Sequence, residues 1–354
     1  MHIVVIGLNY RSAPVELRER LAINREQLPA VLAQLRGQAG VEEVVILSTC
    51  NRVEIYAGVP QLDGTIDRLQ LFLSEYGRLA LPELRAHLYS YTEPDSVRHL
   101  FTVASGIDSM VLGEGEILHQ VKHAYELARE HGATGKVFNV MFQRALNAAK
   151  AVRTQTAIGR GCTSVGTVAV ELAAKIFGDL QGAVVTLLGA GKIGELTLKR
   201  LMVRGVGDVR IVNRSAQRAQ LLALQYGASA VALEALEQQL LEADIIITSS
   251  SAPGYVVQQP AVARAMRGRC QRPLCLIDLG VPRNVEPSVG SLENVYLFDI
   301  DDLQGLVDHH HQGRQQAVVA AQVIVDEKTE RFVSWWQDEV AACVPSGSGL
   351  VAVR

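Results

Sequence analysis

The chain is poor in cysteine and has no long apolar run. Its 354 residues contain five cysteines, with no C-x-x-C pair and no even number for a disulfide framework. No apolar stretch is long enough to cross a bilayer, and the run within Met1–Tyr10 is too short for a signal peptide. These absences favour a reducing, cytoplasmic location with free thiols at Cys50, Cys162, Cys270, Cys275 and Cys343.

An excess of charge of one sign is also missing. The net charge is −3, so the composition as a whole does not indicate a nucleic-acid-binding protein. A content of 48% hydrophobic and 20% charged residues is typical of a globular protein. The length is sufficient for two domains and a linking helix.

One region, 131–170, contains no aspartate or glutamate at all. Its helical pattern, Val137–Thr154, lies between the two predicted domains. A solvated linker helix is the usual explanation for such a basic run, and contact with a polyanion such as RNA is the alternative. The basic residues do not share one helical face, so charge alone does not favour RNA; they are Lys136, Arg144, Lys150, Arg153 and Arg160.

A polar segment with one cysteine, Ser48–Glu54, follows the apolar run Val44–Leu47, which predicts a buried strand. Ligand-binding side chains of α/β proteins lie at such strand ends. Arg52 stands two residues after Cys50, and a nearby cation favours the thiolate over the thiol. We therefore expect Cys50 to attack a carbonyl carbon while Arg52 pairs with a carboxylate. A buried structural cysteine is the alternative, which the polar neighbours weaken.

A glycine-rich turn stands between a predicted strand and a predicted helix. The apolar run Ala183–Leu188 leads into GAGKIG, and Glu195–Val203 follows with a helical pattern. In this context G-x-G-x-x-G indicates a Rossmann dinucleotide site, with the pyrophosphate against the glycines and the helix N-terminus. A merely structural glycine turn is the alternative. The predicted cofactor residues are Gly189, Ala190, Gly191, Lys192, Ile193 and Gly194.

The acidic residue that NAD enzymes carry about 20 residues after the glycines is absent here. The next predicted strand, Val209–Val212, is followed instead by Asn213, Arg214 and Ser215. Because arginine suits a 2′-phosphate, these three residues favour NADP over NAD. A solvated arginine at the start of a surface helix is the alternative.

Strands that alternate with helical stretches predict an α/β protein with a doubly wound parallel sheet. We expect an N-terminal α/β catalytic domain (1–155), a Rossmann NADP-binding domain (156–300), a long C-terminal linking helix (301–340) and a flexible tail (341–354). Three adjacent histidines at 309–311 point in three directions on a helix, so no metal site is predicted. The predicted Rossmann strands are Ala183–Leu188, Val209–Val212, Ser229–Val231, Asp244–Thr248, Leu274–Asp278 and Val295–Phe298.

Two loops follow predicted Rossmann strands, at Ser249–Gly254 and Leu279–Arg283. They leave the carboxyl ends of those strands, where doubly wound sheets bind their ligands. We therefore expect both loops to border the cofactor crevice.

Three separated motifs resemble the glutamyl-tRNA reductase family. They are Ser48–Glu54, Ala104–Glu114 and Asp278–Pro287, in the order the family shows. The resemblance runs from Gly7 to about Trp336 and so covers most of the chain.

The resemblance implies a specific reaction. Cys50 attacks the ester carbonyl of glutamyl-tRNA, which gives an enzyme thioester and free tRNA, and NADPH then reduces the thioester to glutamate-1-semialdehyde. This is the first step of tetrapyrrole (5-aminolevulinate) synthesis. The resemblance also implies that His99 has a polarising or acid–base role near Cys50, where a half-buried structural histidine is the alternative. It implies substrate-binding residues at Thr49, Asn51, Arg52, Ser109, Glu114, Gly115, Glu116 and Gln120.

Glu114 and Glu116 have a second interpretation, as acids that a helix N-terminus favours. Two other functions stay open on the residues alone. One is an NADP-dependent reductase of a free small acid or aldehyde without tRNA, and the other is a non-catalytic Rossmann protein that senses redox state through Cys50.

The resemblance also implies partners. Glutamyl-tRNA is the substrate, and glutamate-1-semialdehyde aminomutase is the next enzyme of the pathway. The family forms a homodimer through a further helical domain, whereas this sequence stops soon after Trp336. We therefore expect weakened dimerisation, with the long apolar helix packed on its own domain or on a second chain.

Overall fold

The N-terminal half of the protein contains a four-stranded antiparallel sheet. The computed structural model describes residues 1–37, 40–159, 164–304 and 315–342. Strands β1 to β4 lie in the order β2-β3-β1-β4, and each neighbouring pair is antiparallel. Their bounds are β1 His2–Asn9, β2 Glu43–Ser48, β3 Arg52–Val59 and β4 Tyr89–Thr92.

Seven helices in the described part of this half surround the sheet. Apolar residues of β1 to β3 are almost fully buried, because helices cover the sheet and the strands read as continuous apolar runs. The bounds are α1 Val15–Leu21, α2 Leu28–Gly37, α3 Thr65–Gly77, α4 Leu81–Arg85, α5 Asp95–Ala104, α6 Glu116–Glu130 and α7 Lys136–Gln155.

A six-stranded parallel sheet forms the C-terminal half. Its order is β10-β9-β8-β5-β6-β7, with the reversal of strand order between β5 and β8, where doubly wound sheets bind their ligands. All six predicted strands are confirmed. The bounds are β5 Val184–Leu188, β6 Asp208–Val212, β7 Ser229–Val231, β8 Ile245–Thr248, β9 Leu274–Asp278 and β10 Val295–Phe298.

α-Helices connect the parallel strands from β5 to β9, because parallel neighbours need a long crossover connection, and only a short 3₁₀ helix lies between β9 and β10. Helix α8 precedes the sheet and packs on α9, the helix that follows the glycine-rich turn. The bounds are α8 Val165–Phe177, α9 Lys192–Val203, α10 Ala216–Tyr226, α11 Leu236–Glu242 and α12 Gln259–Gly268.

The long C-terminal helix, α13 (Gln315–Ala342), packs on the N-terminal half. Its buried residues Phe332 and Val325 belong to the hydrophobic core of that half, and the ring of Phe332 lies 6.3 Å from that of Phe101. The helix therefore buries part of its apolar surface on its own chain. Within the described residues, none of the helices is both long and apolar enough to cross a membrane.

This packing also explains much of the basic run in α7. Lys136 forms an ion pair with Glu339 of α13, and the guanidinium of Arg144 lies 5.1 Å from the Trp335 ring. Arg153 donates to the carbonyl of Gly113 at 2.9 Å. The helix is therefore part of the N-terminal core and not a solvated linker, and these three basic residues are already engaged by their own chain. Arg160 and the histidines at 309–311 lie outside the described residues.

Ion pairs join the two halves near α1. Arg283, from the loop after β9, binds Glu19 at 2.8 Å and Glu16 at 2.7 Å. Asp301, which follows β10, binds the buried Arg18 at 2.5 Å and accepts from the backbone N–H of Val15 at 3.0 Å. Helix α1 therefore holds the Rossmann half next to the Cys50 loop through these contacts. The apolar pattern of the sequence does not predict this helix.

Candidate active site

Cys50 occupies the turn of the β2–β3 hairpin. Ser48 pairs with Val53, and the hydroxyl of Thr49 accepts from the backbone N–H groups of Asn51 and Arg52, both at 3.1 Å. The sequence correctly predicts the end of the strand at Ser48. However, the turn belongs to an antiparallel hairpin and not to the ligand-binding edge of a parallel sheet.

A pocket surrounds the Cys50 side chain and draws on both halves of the protein. Eight of the predicted catalytic and substrate-binding residues line it, as do Ser164–Gly166 at the start of α8 and the predicted cofactor residue Ile193 on α9. The cavity measures about 30 Å³, room for about one water molecule, so a larger group requires it to widen. The predicted residues brought together here are Thr49, Cys50, Asn51, Arg52, Ser109, Glu114, Glu116 and Gln120.

The environment of Cys50 opposes ionisation of its thiol. Its pKa is raised to about 12, mainly by burial and also by the charge of Glu114, while the charge of Arg18 opposes the shift. The prediction that Arg52 favours the thiolate is therefore wrong. The cation that acts on the thiol is Arg18, whose Nε and Nη1 have no partner among the described residues.

Arg52 is instead neutralised by two carboxylates that do not line the Cys50 pocket. Its side chain is 1% exposed, with Nη1 2.7 Å from Glu54 and Nη2 3.1 Å from Asp108. Two acids share its charge before any substrate carboxylate arrives. The sequence shows Glu54 two residues after Arg52 but not that their side chains meet.

Glu54 is the centre of a buried network. It is fully buried, which opposes ionisation, but the charges of His99 and Arg52 outweigh burial and hold the pKa of Glu54 well below its usual range. Its two carboxylate oxygens accept hydrogen bonds at 2.6 Å from Tyr56 and Tyr89. The network fixes Arg52 in place.

His99 lies on the far side of this network from the pocket. Its Nε2 is 2.8 Å from Glu54, and its ring contacts those of Tyr89 and Tyr91 at 5.3 Å and 5.2 Å. It lines a separate cavity and not the one around Cys50. His99 therefore does not line the Cys50 pocket, and contacts connect it to that pocket only through Glu54 and Arg52.

Glu114 and Glu116 place two acids in the pocket. The pKa of Glu114 is raised to about 7, mainly by burial and also by the charge of Glu116, while the charge of Arg52 opposes the shift. Glu116 is the first residue of α6, where the helix dipole favours an acid. Gly115 does not line the pocket; it is the N-cap of α6, packed near Arg153.

A second cavity lies along the glycine-rich turn. Gly189 has φ +117°, a conformation that L side chains rarely adopt, and a Cβ on Gly194 would meet the carbonyl oxygen of Gly189 at 2.3 Å. A Cβ on Gly191 would meet nothing within 4 Å, so this residue faces open space. These are the three roles that the fingerprint predicts.

The predicted cofactor residues divide between two places. Six line the crevice, whereas Lys192 pairs with Glu195 at 3.5 Å and Ile193 turns to the Cys50 pocket, because both already belong to α9. Gly194 packs α9 on the strand and also lies outside the crevice lining. Those in the crevice are Gly189, Ala190, Gly191, Asn213, Arg214 and Ser215.

Two of these residues also shape the crevice. The side-chain oxygen of Asn213 accepts from the N–H of Ala190 at 3.3 Å, and the hydroxyl of Ser215 caps α10. Arg218 lines the same wall as Arg214 and was missed. Arg218 lies in the first turn of α10, whereas Arg214 precedes the N-cap Ser215, so no helical spacing in the sequence points to the pair.

The crevice fits a dinucleotide. The Ser249 hydroxyl, in the crevice wall, is buried with no hydrogen-bond partner among the described residues. The predicted loop Ser249–Gly254 borders the crevice as expected, through Ser249–Ala252. Asp278 is 1% exposed and accepts from the N–H groups of Gly280, Asn284 and Val285, so it holds the loop after β9.

Together, the Rossmann half with its dinucleotide crevice and the thiol pocket against it define an oxidoreductase of two domains with a nicotinamide cofactor. The family model of the N-terminal domain of glutamyl-tRNA(Glu) reductase matches residues 6–156, and that of shikimate/quinate 5-dehydrogenase matches 171–306. Glutamyl-tRNA reductase of Moorella thermoacetica is 45% identical over 95% of this chain and 76% of its own length.

The relative from Desulfitobacterium hafniense is 43% identical over 94% of this chain and 75% of its own length. The solved glutamyl-tRNA reductase of Methanopyrus kandleri is 32% identical, with a TM-score of 0.51 over 95% of this chain and 80% of that one. The chain belongs to the glutamyl-tRNA reductase family, whose enzymes carry out the first step of tetrapyrrole synthesis.

Proposed function

We propose that this chain uses NADPH to reduce glutamyl-tRNA to glutamate-1-semialdehyde through a thioester on Cys50. The observation that carries the proposal is the junction at the thiol. Cys50 of the hairpin and Ile193 of the fingerprint helix line one pocket, so the thiol faces the domain that binds the cofactor.

The pocket suits the charges of a glutamyl group. Glu114 and Glu116 complement its α-ammonium, and the side-chain oxygen of Asn51 is buried without a partner among the described residues. Arg52 and Gln120 line the same pocket and supply donors for the γ-carboxylate.

Substrate binding helps to activate the thiol. Because the charge of Glu114 raises the pKa of Cys50, an ammonium placed beside Glu114 cancels that effect and leaves the pull of Arg18. The Cys50 thiolate then attacks the ester carbonyl carbon. A carbon–sulfur bond forms, the bond from that carbon to the ribose oxygen breaks, and the oxygen leaves with a proton as tRNA.

The second step releases the aldehyde. When bound, NADPH supplies the hydride that the thioester carbon accepts, while the carbon–sulfur bond breaks and Cys50 is regenerated as a thiol. Arg214 and Arg218 favour NADPH over NADH, since two guanidinium groups on one wall of the crevice match a 2′-phosphate.

The remaining family expectations are part of the same proposal. His99 is a positioning residue for Arg52, by way of Glu54. The reaction takes place in the cytoplasm, and the aldehyde is consumed by glutamate-1-semialdehyde aminomutase.

The direct test is to incubate the protein with glutamyl-tRNA and NADPH and to assay glutamate-1-semialdehyde. Free glutamate with NADPH is the matched control. Product from glutamyl-tRNA alone supports the proposal, whereas reduction of a free acid or aldehyde without tRNA supports the simpler reductase. The absence of both a Cys50 thioester and NADPH oxidation would favour the redox sensor.

A further inference from the structure

A broad groove opens on the other side of Cys50. It measures about 610 Å³, within the range of cavities that hold a group of nucleotide size, whereas the Cys50 pocket measures about 30 Å³. Thr49 and Cys50 line both spaces, so the thiol stands at the boundary between them. A group attacked by the thiol therefore has room for a large leaving portion only on the groove side.

The groove carries positive charge. Arg20, Arg25 and Arg78 line it, and its one lining acid, Glu19, is already paired with Arg283. Arg25 forms no ion pair within the described residues. This balance matches the phosphates of a nucleic-acid end.

An aromatic side chain completes the wall. Tyr76 lines the groove, and its hydroxyl is held by the carbonyl of Ala22 at 3.4 Å and by Gln27 at 3.2 Å. Aromatic side chains beside arginines are the usual means of binding unpaired nucleotides.

The groove also meets the dinucleotide crevice. Ser251 lines both cavities, and Pro253, Val281 and Pro282 continue the groove wall along the two loops that leave β8 and β9. A dinucleotide whose phosphates lie on the glycine turn reaches Cys50 along these loops. Its nicotinamide end then enters the space that a leaving nucleotide requires.

We propose that this groove holds the 3′-terminal nucleotide of tRNA during acyl transfer and the nicotinamide ring during reduction, one at a time. The inference rests on the proposed function and adds where the terminal nucleotide and the nicotinamide ring bind. Reduction then begins only after the tRNA end has left.

Binding to the Cys50→Ser variant tests the proposal, because this variant forms no thioester. The probes are NADPH, its nicotinamide-free analogue 2′-phospho-ADP-ribose, and an uncharged RNA hairpin that carries the acceptor end of tRNA. Saturating RNA is expected to lower the affinity for NADPH by about tenfold, to that of the analogue, because the contacts of the nicotinamide ring are lost. The analogue itself is expected to bind equally well with and without RNA.

Charge variants assign the RNA to the groove. Arg25→Gln and Arg78→Gln are each expected to lower the affinity for the hairpin severalfold. Arg267→Gln, at an exposed position on α12 outside the groove, is the control and should leave that affinity unchanged. Any of three results would overturn the proposal. The affinity for NADPH could stay unchanged when RNA is bound, the hairpin could fail to bind, or the Arg25 and Arg78 variants could bind the hairpin as tightly as the parent protein does. Because this assay involves no turnover, intact competition without any semialdehyde formation would refute the proposed function alone.

Discussion

The Cys50 pocket and the dinucleotide crevice are built in opposite ways. The crevice is lined by the glycine turn, with Gly189 and Gly191, and by Arg214, while Gly194 packs the following helix on the strand. The pocket is formed by side chains from several separate segments, whose charges largely cancel one another before a substrate arrives.

The difference determines what a residue's identity reveals. In the crevice, a glycine or an arginine acts on the ligand directly, so its chemistry follows from its type. In the pocket, the charge of Arg52 is balanced by Glu54 and Asp108, and the pKa of Cys50 is set mainly by burial. Four experiments test this contrast.

The largest effect is expected for Cys50→Ser. The variant should lose the thioester and its reductase activity should fall by about a thousandfold or more, because the serine hydroxyl is a far weaker nucleophile than a thiolate. Cys270→Ser, at an exposed free cysteine, is the matched control and should keep full activity. Near-normal turnover by the Cys50 variant in a semialdehyde assay would remove the thiol from the mechanism.

Glu114→Gln tests the desolvated carboxyl of the pocket. The folded-state pKa of Glu114 is raised to about 7, so between its ordinary value and 7 the folded state holds a proton that the unfolded state has lost. Stability therefore falls as pH rises through that window. The variant should gain about 3 kcal/mol over the wild type at pH 8 and much less at pH 5.

Denaturant melts at the two pH values measure this difference. Glu126→Gln, at a half-buried position on α6 beside Lys122, serves as the control. A gain that does not change with pH would show that the Glu114 carboxyl is not desolvated in solution.

Arg214→Ala tests the crevice, where charge is expected to act directly. Losing a charge-assisted phosphate contact costs about 1.5–3 kcal/mol, so NADPH should bind about tenfold to a hundredfold more weakly. NADH lacks the 2′-phosphate and should lose little. Fluorescence titration with both cofactors decides the matter, and equal weakening of the two would make Arg214 a structural residue.

Arg18 provides the smallest effect and the finest test of the pocket. Arg18→Gln removes the cation that lowers the pKa of Cys50, so alkylation of Cys50 at fixed pH should slow by roughly threefold to tenfold. Asp301→Asn removes the acid that neutralises Arg18 and should speed the reaction. Peptide-level mass spectrometry of iodoacetamide labelling across pH isolates Cys50 from the other thiols.

Arg18→Lys keeps the charge and should stay close to the wild type. Because Arg18 is buried, its variants need a thermal melt to show that they fold, and Asp301→Asn supplies the test if they do not. Identical pH profiles in all variants would leave Arg18 with a purely structural role.

The sequence alone determined the Rossmann half. The six parallel strands, the glycine turn and Arg214 were predictable because strand periodicity and backbone conformation are local properties. The motif around Cys50 also supplied four residues that line the pocket, and the family resemblance supplied four more.

Only the tertiary structure decided how those residues act. The pairing of Arg52 with Asp108, the position of His99 behind Glu54, and the approach of Arg18 to Cys50 join positions far apart in the chain. Charge and burial depend on all neighbours in space, whereas a sequence pattern reports only the neighbours along the chain. For that reason the sequence identified Cys50 as the candidate nucleophile, whereas the tertiary structure determined the pKa of its thiol.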